Sequence, residues 1–88
     1  MTPEEARFVA LGDIERERER QQTKWAGPHA HGSGDCSSPD VELAVKVAVL
    51  TEEVGEVARA YLENDINQLR TELVQVAAVA VAIIEGIG

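Results

Sequence analysis

The sequence is short of cysteine, of aromatic residues, of positive charge and of long apolar runs, and each shortage excludes something. Cys36 is the only cysteine, which excludes an internal disulfide framework and a cysteine-rich zinc site and suits a reducing, cytoplasmic setting. Phe8, Trp25 and Tyr61 are the only aromatics, so a core has to be packed from Val, Ala, Leu and Ile. Eight Lys and Arg stand against sixteen Asp and Glu, a net charge of -8. A sequence-independent grip on nucleic acid needs a cationic surface to replace phosphate counterions, so that partner is excluded and a cation or a cation-bridged anion is expected. The longest nearly uncharged apolar run, Leu73 to Ile84, falls short of the roughly 18–20 residues that span a bilayer. No basic and apolar leader opens the chain. A soluble protein without a membrane partner is expected.

What is there amounts to one small domain over residues 1–88. A chain of this size buries only about 60–65 % of its unfolded surface, so help from a partner is expected. The punctuation predicts an all-α fold of three helices, at about 3–25, 39–63 and 66–85. Thr2 as N-cap, Pro3 at the first helical position and Glu5 completing a capping box open the first, and Ala26-Gly27-Pro28 ends it. Its "ERERERQQ" segment reads as a solvated stretch, with the alternative that some of these charges face a polar pocket or pair across an interface. Residues 27–37 have no apolar period and read as a flexible loop, long enough to act as a flap over a site. His29, His31, Asp35 and Cys36 are metal-ligand types, but no second cluster at ligand spacing accompanies them. Ser38, Pro39 and Asp40 repeat the opening device for the second helix. Asp65 with Gln68 resembles a capping box for the third, which stops before Gly86 and Gly88. The segments "VKVAVL" and "VQVAAVAVAII" are rich in β-branched residues, yet alternating Ala, unbroken length and flanking caps favour helices over strands.

At about 100° per residue, Leu43, Val47, Leu50, Val54 and Tyr61 form one stripe on the second helix, predicted to be its main core face. Glu53 flanks that stripe, and Glu56 shares a second apolar surface with Val45, Val49 and Ala60. On the third helix Glu72 falls within the face of Leu69, Val76, Val79, Ala80 and Ile83, with Gln75 at its border. A buried unpaired carboxylate costs several kcal/mol or protonates, so Glu72 requires a partner. Lys46 lies about two turns before Glu53 and Arg70 points elsewhere, so few basic side chains serve these acids. Either a hard cation such as Mg²⁺ binds them, or they face solvent or hydrogen-bond across an interface. From Leu73 to Ile84 the only polar residue is Gln75. A helix apolar all round is buried on all sides, which predicts self-association through a symmetric interface.

Glu52-Glu53-Val54-Gly55-Glu56 followed, fifteen residues after Glu56, by Glu72-Leu73-Val74-Gln75 resembles the E-E-x-x-E and E-x-x-D motifs of the MazG-like, all-α nucleoside triphosphate pyrophosphohydrolases. "RQQTKW" and "LTEEVGEVARAYLEND" extend the similarity over roughly residues 15–85. The resemblance implies hydrolysis of an NTP or dNTP to the monophosphate and pyrophosphate, a house-cleaning role in the nucleotide pool, and a helical-bundle homodimer or homotetramer. It implies Mg²⁺, with Mn²⁺ as a substitute, held by Glu53, Glu56, Glu72 and Gln75. Glu52 and Glu53 would be catalytic, with Glu52 a further ligand or the residue that orients the water. Lys24 would meet a phosphate, and Trp25 would stack on the base or else plug the end of the bundle. Two features depart from the family: Gln75 replaces its aspartate with a neutral side chain, and the chain ends after the third helix. They leave a second reading, a non-catalytic helical oligomer that binds a nucleotide or a protein partner.

Overall fold

The computed structural model describes residues 1–87 and contains α1 (Pro3–Lys24), β1 (Pro28–His29), β2 (Gly32–Ser33), α2 (Leu43–Leu62) and α3 (Ile66–Ile87). The third helix does not stop before Gly86 as anticipated but runs through it to Ile87, since a glycine inside a helix costs only about 1 kcal/mol; Gly88, the other residue of that stop, lies outside the described residues. The opening of α1 is as predicted: Glu5 N–H donates to Thr2 Oγ1 at 3.1 Å, and Thr2 N–H donates to Glu5 Oε1 at 3.0 Å. Trp25 closes the helix by donating its N–H to Gln21 O. Gly27, at φ +86°, then turns the chain in a conformation that glycine adopts without strain.

The loop that follows contains a two-residue antiparallel ladder, with Pro28 opposite Ser33 and His29 opposite Gly32. Ser38, Pro39 and Asp40 do not open the second helix. Ser38 Oγ donates to Ser33 O and accepts from Asp40 N–H, while Val41 N–H donates to Ser38 O. The hydroxyl meant to cap a helix therefore closes a turn that carries Val41 into the core, where it is buried. α2 starts at Leu43, and Glu42, its N-cap, makes no side-chain cap hydrogen bond.

Between α2 and α3 the reversal uses Asn64 at φ +57°, a left-handed position that asparagine tolerates. Asp65 Oδ1 accepts from Gln68 N–H at 3.0 Å, which supplies half of the anticipated capping box. A connection this short makes α2 and α3 antiparallel neighbours. α3 is the central helix and packs against both α2 and α1. Both Val-rich segments are helical, as expected.

The core is small. Its buried apolar residues are Val41, Ala60, Ala78, Val79, Ala82 and Ile83, and among the described residues no large side chain is fully buried. The stripe expected to form the core face of α2 instead points outward: Leu43, Val47, Val54 and Tyr61 are exposed and Leu50 is half-buried. α2 turns its other arc inward, burying Lys46 and Ala60 and half-burying Val49, Glu53 and Glu56. On α3, Glu72, Val79 and Ile83 are buried as the wheel predicts, yet Leu73, Val81 and Ile84 remain exposed in the single chain. The cause is geometric. Each helix of a three-helix array has only one or two neighbours, so helices that are apolar over most of their circumference leave part of it uncovered.

Candidate active-site cleft

A cleft with a volume of about 400 Å³ opens between the C-terminal half of α1, the loop, α2 and α3. From α1 it receives Glu17, Arg20, Gln21 and Lys24, with Trp25 just beyond the helix end. Residues four apart share a helix face, and this part of "ERERERQQTKW" is therefore a cleft wall and not a wholly solvated stretch. Gln21 is buried and Glu17 half-buried. Arg20 grips Glu17 with Nε and Nη2 at 2.8 and 2.6 Å, which holds the Glu17 carboxyl below its ordinary range.

The loop wall is tied down from below by Arg18. This buried guanidinium donates through Nη1 to Asp35 Oδ2 at 2.8 Å and through Nε to Glu85 Oε2 at 2.8 Å, joining α1, the loop and the last turn of α3. Its Nη2 lies 2.6 Å from the same Glu85 oxygen without hydrogen-bond alignment. Burial opposes the Arg18 charge, but Asp35 and Glu85 more than offset that and leave its pKa above the ordinary value. Asp35 is likewise opposed by burial and still held low, by hydrogen bonds from the Ser37 hydroxyl and N–H and from Arg18. Sequence reasoning missed Arg18 because its partners are 17 and 67 residues away. For Arg20 a signal existed, since it precedes Lys24 by one turn.

His29 is occupied locally. His29 Nε2 lies 2.7 Å from Gly34 O and its Nδ1 accepts from His31 N–H at 3.2 Å, so the ring carries its proton on Nε2. The His29 ring stands edge-on to Trp25 with centroids 5.7 Å apart, and Lys24 Nζ lies 5.3 Å from the Trp25 ring centre. Cys36 also lines the cleft, and burial, followed by the charge of Asp35, pushes its thiol pKa up. It is a poor nucleophile there.

Opposite this aromatic and basic wall, α2 presents Glu52 and Glu53, and α3 presents Gln75. Glu72 is buried beside them and has the partners it requires. Gln68, one turn earlier, donates from Nε2 to Glu72 Oε1 at 2.6 Å. In the orientation that satisfies its hydrogen bonds, the Gln75 amide donates to Glu72 Oε2 at 2.8 Å and to Glu53 Oε2 at 3.2 Å. A single neutral amide therefore links an acid on α2 to an acid on α3. The Glu53 carboxyl is nevertheless pushed above its ordinary range, first by burial and then by the charges of Glu72, Glu56, Glu52 and Glu17. Glu56 is half-buried on the next turn of α2 and does not line the cleft. Lys46 lies too far along the bundle to help, with its Nζ against the last turn of α3, 3.1 Å from where a Cβ on Gly86 would sit.

Of the residues singled out in the sequence, Lys24, Trp25, Glu52, Glu53 and Gln75 share one cleft, and Glu72 adjoins it. Among the described residues no three His, Cys, Asp or Glu side chains are spaced to share one metal ion. The converging donors are two carboxylates and one amide. Their chemistry fits a hard cation provided the amide turns over, because Gln75 would then bring its oxygen against Glu53 and Glu72, an arrangement stable only with positive charge between them. Among the described residues no helix is long and apolar enough to cross a membrane. Compared with known proteins, the chain matches no family model, no curated protein and no solved structure.

Proposed function

We propose that this cleft binds a nucleoside triphosphate together with Mg²⁺, or Mn²⁺ in its place, and hydrolyses the bond between the α- and β-phosphates. The observation that carries the reading is the convergence of Glu53 and Glu72, from two helices, onto Gln75 at one wall of a cleft whose other wall holds Arg20, Lys24 and Trp25. Glu53, Glu72 and the Gln75 side-chain oxygen would hold the cation, with Glu56 close enough for its charge to be felt at Glu53. The cation would supply charge neutralisation at the phosphates. Arg20 and Lys24 meet the polyphosphate from α1, and the exposed face of Trp25 stacks on the base. Glu52, exposed at the rim, orients the water whose oxygen forms the new bond to the α-phosphorus as pyrophosphate leaves. The protein works as a self-associated assembly, because six buried apolar residues among the described ones make a thin core, and its single cysteine suits the reducing cytoplasm.

Incubation with a panel of NTPs and dNTPs plus Mg²⁺ should release pyrophosphate, and the release should disappear in Glu53→Gln. No turnover of any nucleotide would overturn the reading. A second reading, a nucleotide or partner binder without turnover, is favoured by the hydrogen bonds of Gln75, which already satisfy both carboxylates without a cation. Calorimetry separates the two: tight nucleotide binding that is indifferent to Mg²⁺, with no pyrophosphate released, selects the binder.

A further inference from the structure

We infer that the outward side of the α2–α3 hairpin is the surface through which two copies of this chain meet, with the α2 stripe as its seam. This deepens the self-association proposed above and does not depend on the chemistry of the cleft.

The stripe consists of Leu43, Val47, Leu50, Val54, Val57 and Tyr61, spaced alternately four and three residues apart. That is the spacing of a helix seam that packs against another helix. Its outer flank is Ala44, Thr51 and Ala58, small uncharged residues that allow close approach. No charged residue of α2 falls in this arc, whereas Lys46, Glu53 and Glu56 lie on the inward side. On α3, Leu73, Val81 and Ile84 form a second exposed stripe. Measured from the buried arcs (Glu53 and Ala60 on α2, Glu72 and Ile83 on α3), the two stripes are displaced in the same rotational sense by about 100°. In an antiparallel pair, equal displacement in one sense puts both stripes on the same side. α1 holds the other side, where Arg18 reaches Glu85.

Three considerations identify the occupant as a second copy. Leu43, Val47, Val54, Tyr61, Leu73, Val81 and Ile84, from 38 % to 69 % exposed, present on the order of 700 Å² of apolar surface, close to the about 800 Å² that each partner contributes to a stable interface. A chain of net charge -8 repels its own copy over most of its surface; this side has no charge on the α2 arc and on the α3 arc only Arg70, paired with Asp13, so two copies approach here with the least of that cost. Phe8 and Leu11 are also exposed, at the far end of α1, but the stripes of α2 and α3 are the continuous part of the apolar surface that the thin core fails to bury, and one two-fold interface covers both stripes.

Sedimentation equilibrium of the full chain should give a dimer or a multiple of it, and the thermal midpoint should rise with protein concentration. Val54→Glu, which places two charges in the seam, should weaken association by at least about a hundredfold. Gln22→Asn, a charge-neutral change on the exposed side of α1, should leave it unchanged. If Val54→Glu does not fold, Leu73→Gln supplies a milder break, and the concentration dependence of the unmodified chain decides. A folded monomer at all concentrations, an assembly unaffected by both seam variants, or a monomer that instead partitions onto neutral phosphatidylcholine vesicles would each overturn the inference. Glu53→Gln, which tests the cleft, should not change the measured mass, so failure of one proposal is readable apart from failure of the other.

Discussion

The two sides of the α2–α3 hairpin invert the usual arrangement of a small helical protein. The side packed toward α1 buries Glu72, Lys46, Arg18 and Gln21, and half-buries Glu53 and Gln75. The opposite side exposes Leu43, Val54, Tyr61, Leu73 and Ile84. The difference separates two sources of stability. Inward, a small apolar core holds the elements together and the hydrogen bonds of Arg18, Glu72 and Gln75 specify their positions; outward, undirected apolar surface remains for association. Substitutions on the inner side should therefore alter stability and cleft chemistry with little effect on assembly, whereas the outer side should behave in the reverse way.

The largest expected effect on the inner side is Arg18→Ala. Asp35 would be left buried without its cation, and a loss of about 3–5 kcal/mol is expected from breaking a buried pair, read as a fall in chemical denaturation midpoint. Gly32→Ala follows. At φ +130° a Cβ there would sit 2.1 Å from Asp40 O, a backbone atom that cannot swing aside. A cost of about 2–4 kcal/mol is expected from strain and overlap, and protease cleavage within residues 27–42 should accelerate.

Gln75→Leu should cost about 1–3 kcal/mol, because Glu72 and Glu53 lose a shared donor. Gln75→Asp sharpens the point: a third carboxylate without a proton should destabilise the cation-free protein at neutral pH, and millimolar Mg²⁺ should restore the thermal midpoint. A midpoint indifferent to Mg²⁺ would count against cation binding at this position. The smallest effect is that of Glu53→Gln, which removes a charge held at a cost. Since the folded-state pKa of Glu53 lies above its ordinary value of 4.5, the folded protein binds that proton more tightly than the unfolded chain. Stability from this group is thus greatest below 4.5 and declines as pH rises through the raised value. The variant should melt slightly higher than the unmodified protein at pH 7, and the difference should vanish near pH 4. Asp35 has the opposite sign: it is held below 3.8, so its contribution is present at neutral pH and is lost as pH falls below that value.

Much of this could be read in the sequence, and what could not has a physical reason. The Thr2 capping box and the helical character of the Val-rich segments depend on neighbours within a turn, and both are found. Ser38-Pro39-Asp40 carries the same local signal as Thr2-Pro3-Glu4, yet its hydroxyl is recruited by Ser33 five residues earlier and makes a turn. Periodicity located the apolar stripe of α2 but not its direction, because a helical wheel has no knowledge of which neighbours are present. The need of Glu72 for a partner was legible from its position. That the partners are Gln68 and Gln75, four residues before and three after, was present in the spacing but is decided by rotamers. The burial of Arg18, while Arg16 and Arg20 stay at the surface, rests on Asp35 and Glu85 and has no local signature.

The aromatic residues have a practical consequence. The chain has a single tryptophan and a single tyrosine, and the fold puts Trp25 at the cleft and Tyr61 on the outward stripe. Indole emission excited at the red edge of its absorption therefore reports on the cleft alone, while the phenol reports on the far side of the hairpin. Nucleotide entry and pairing of copies would each carry a separate optical signature in the unlabelled protein, and a titration followed at both wavelengths would show whether one event alters the other.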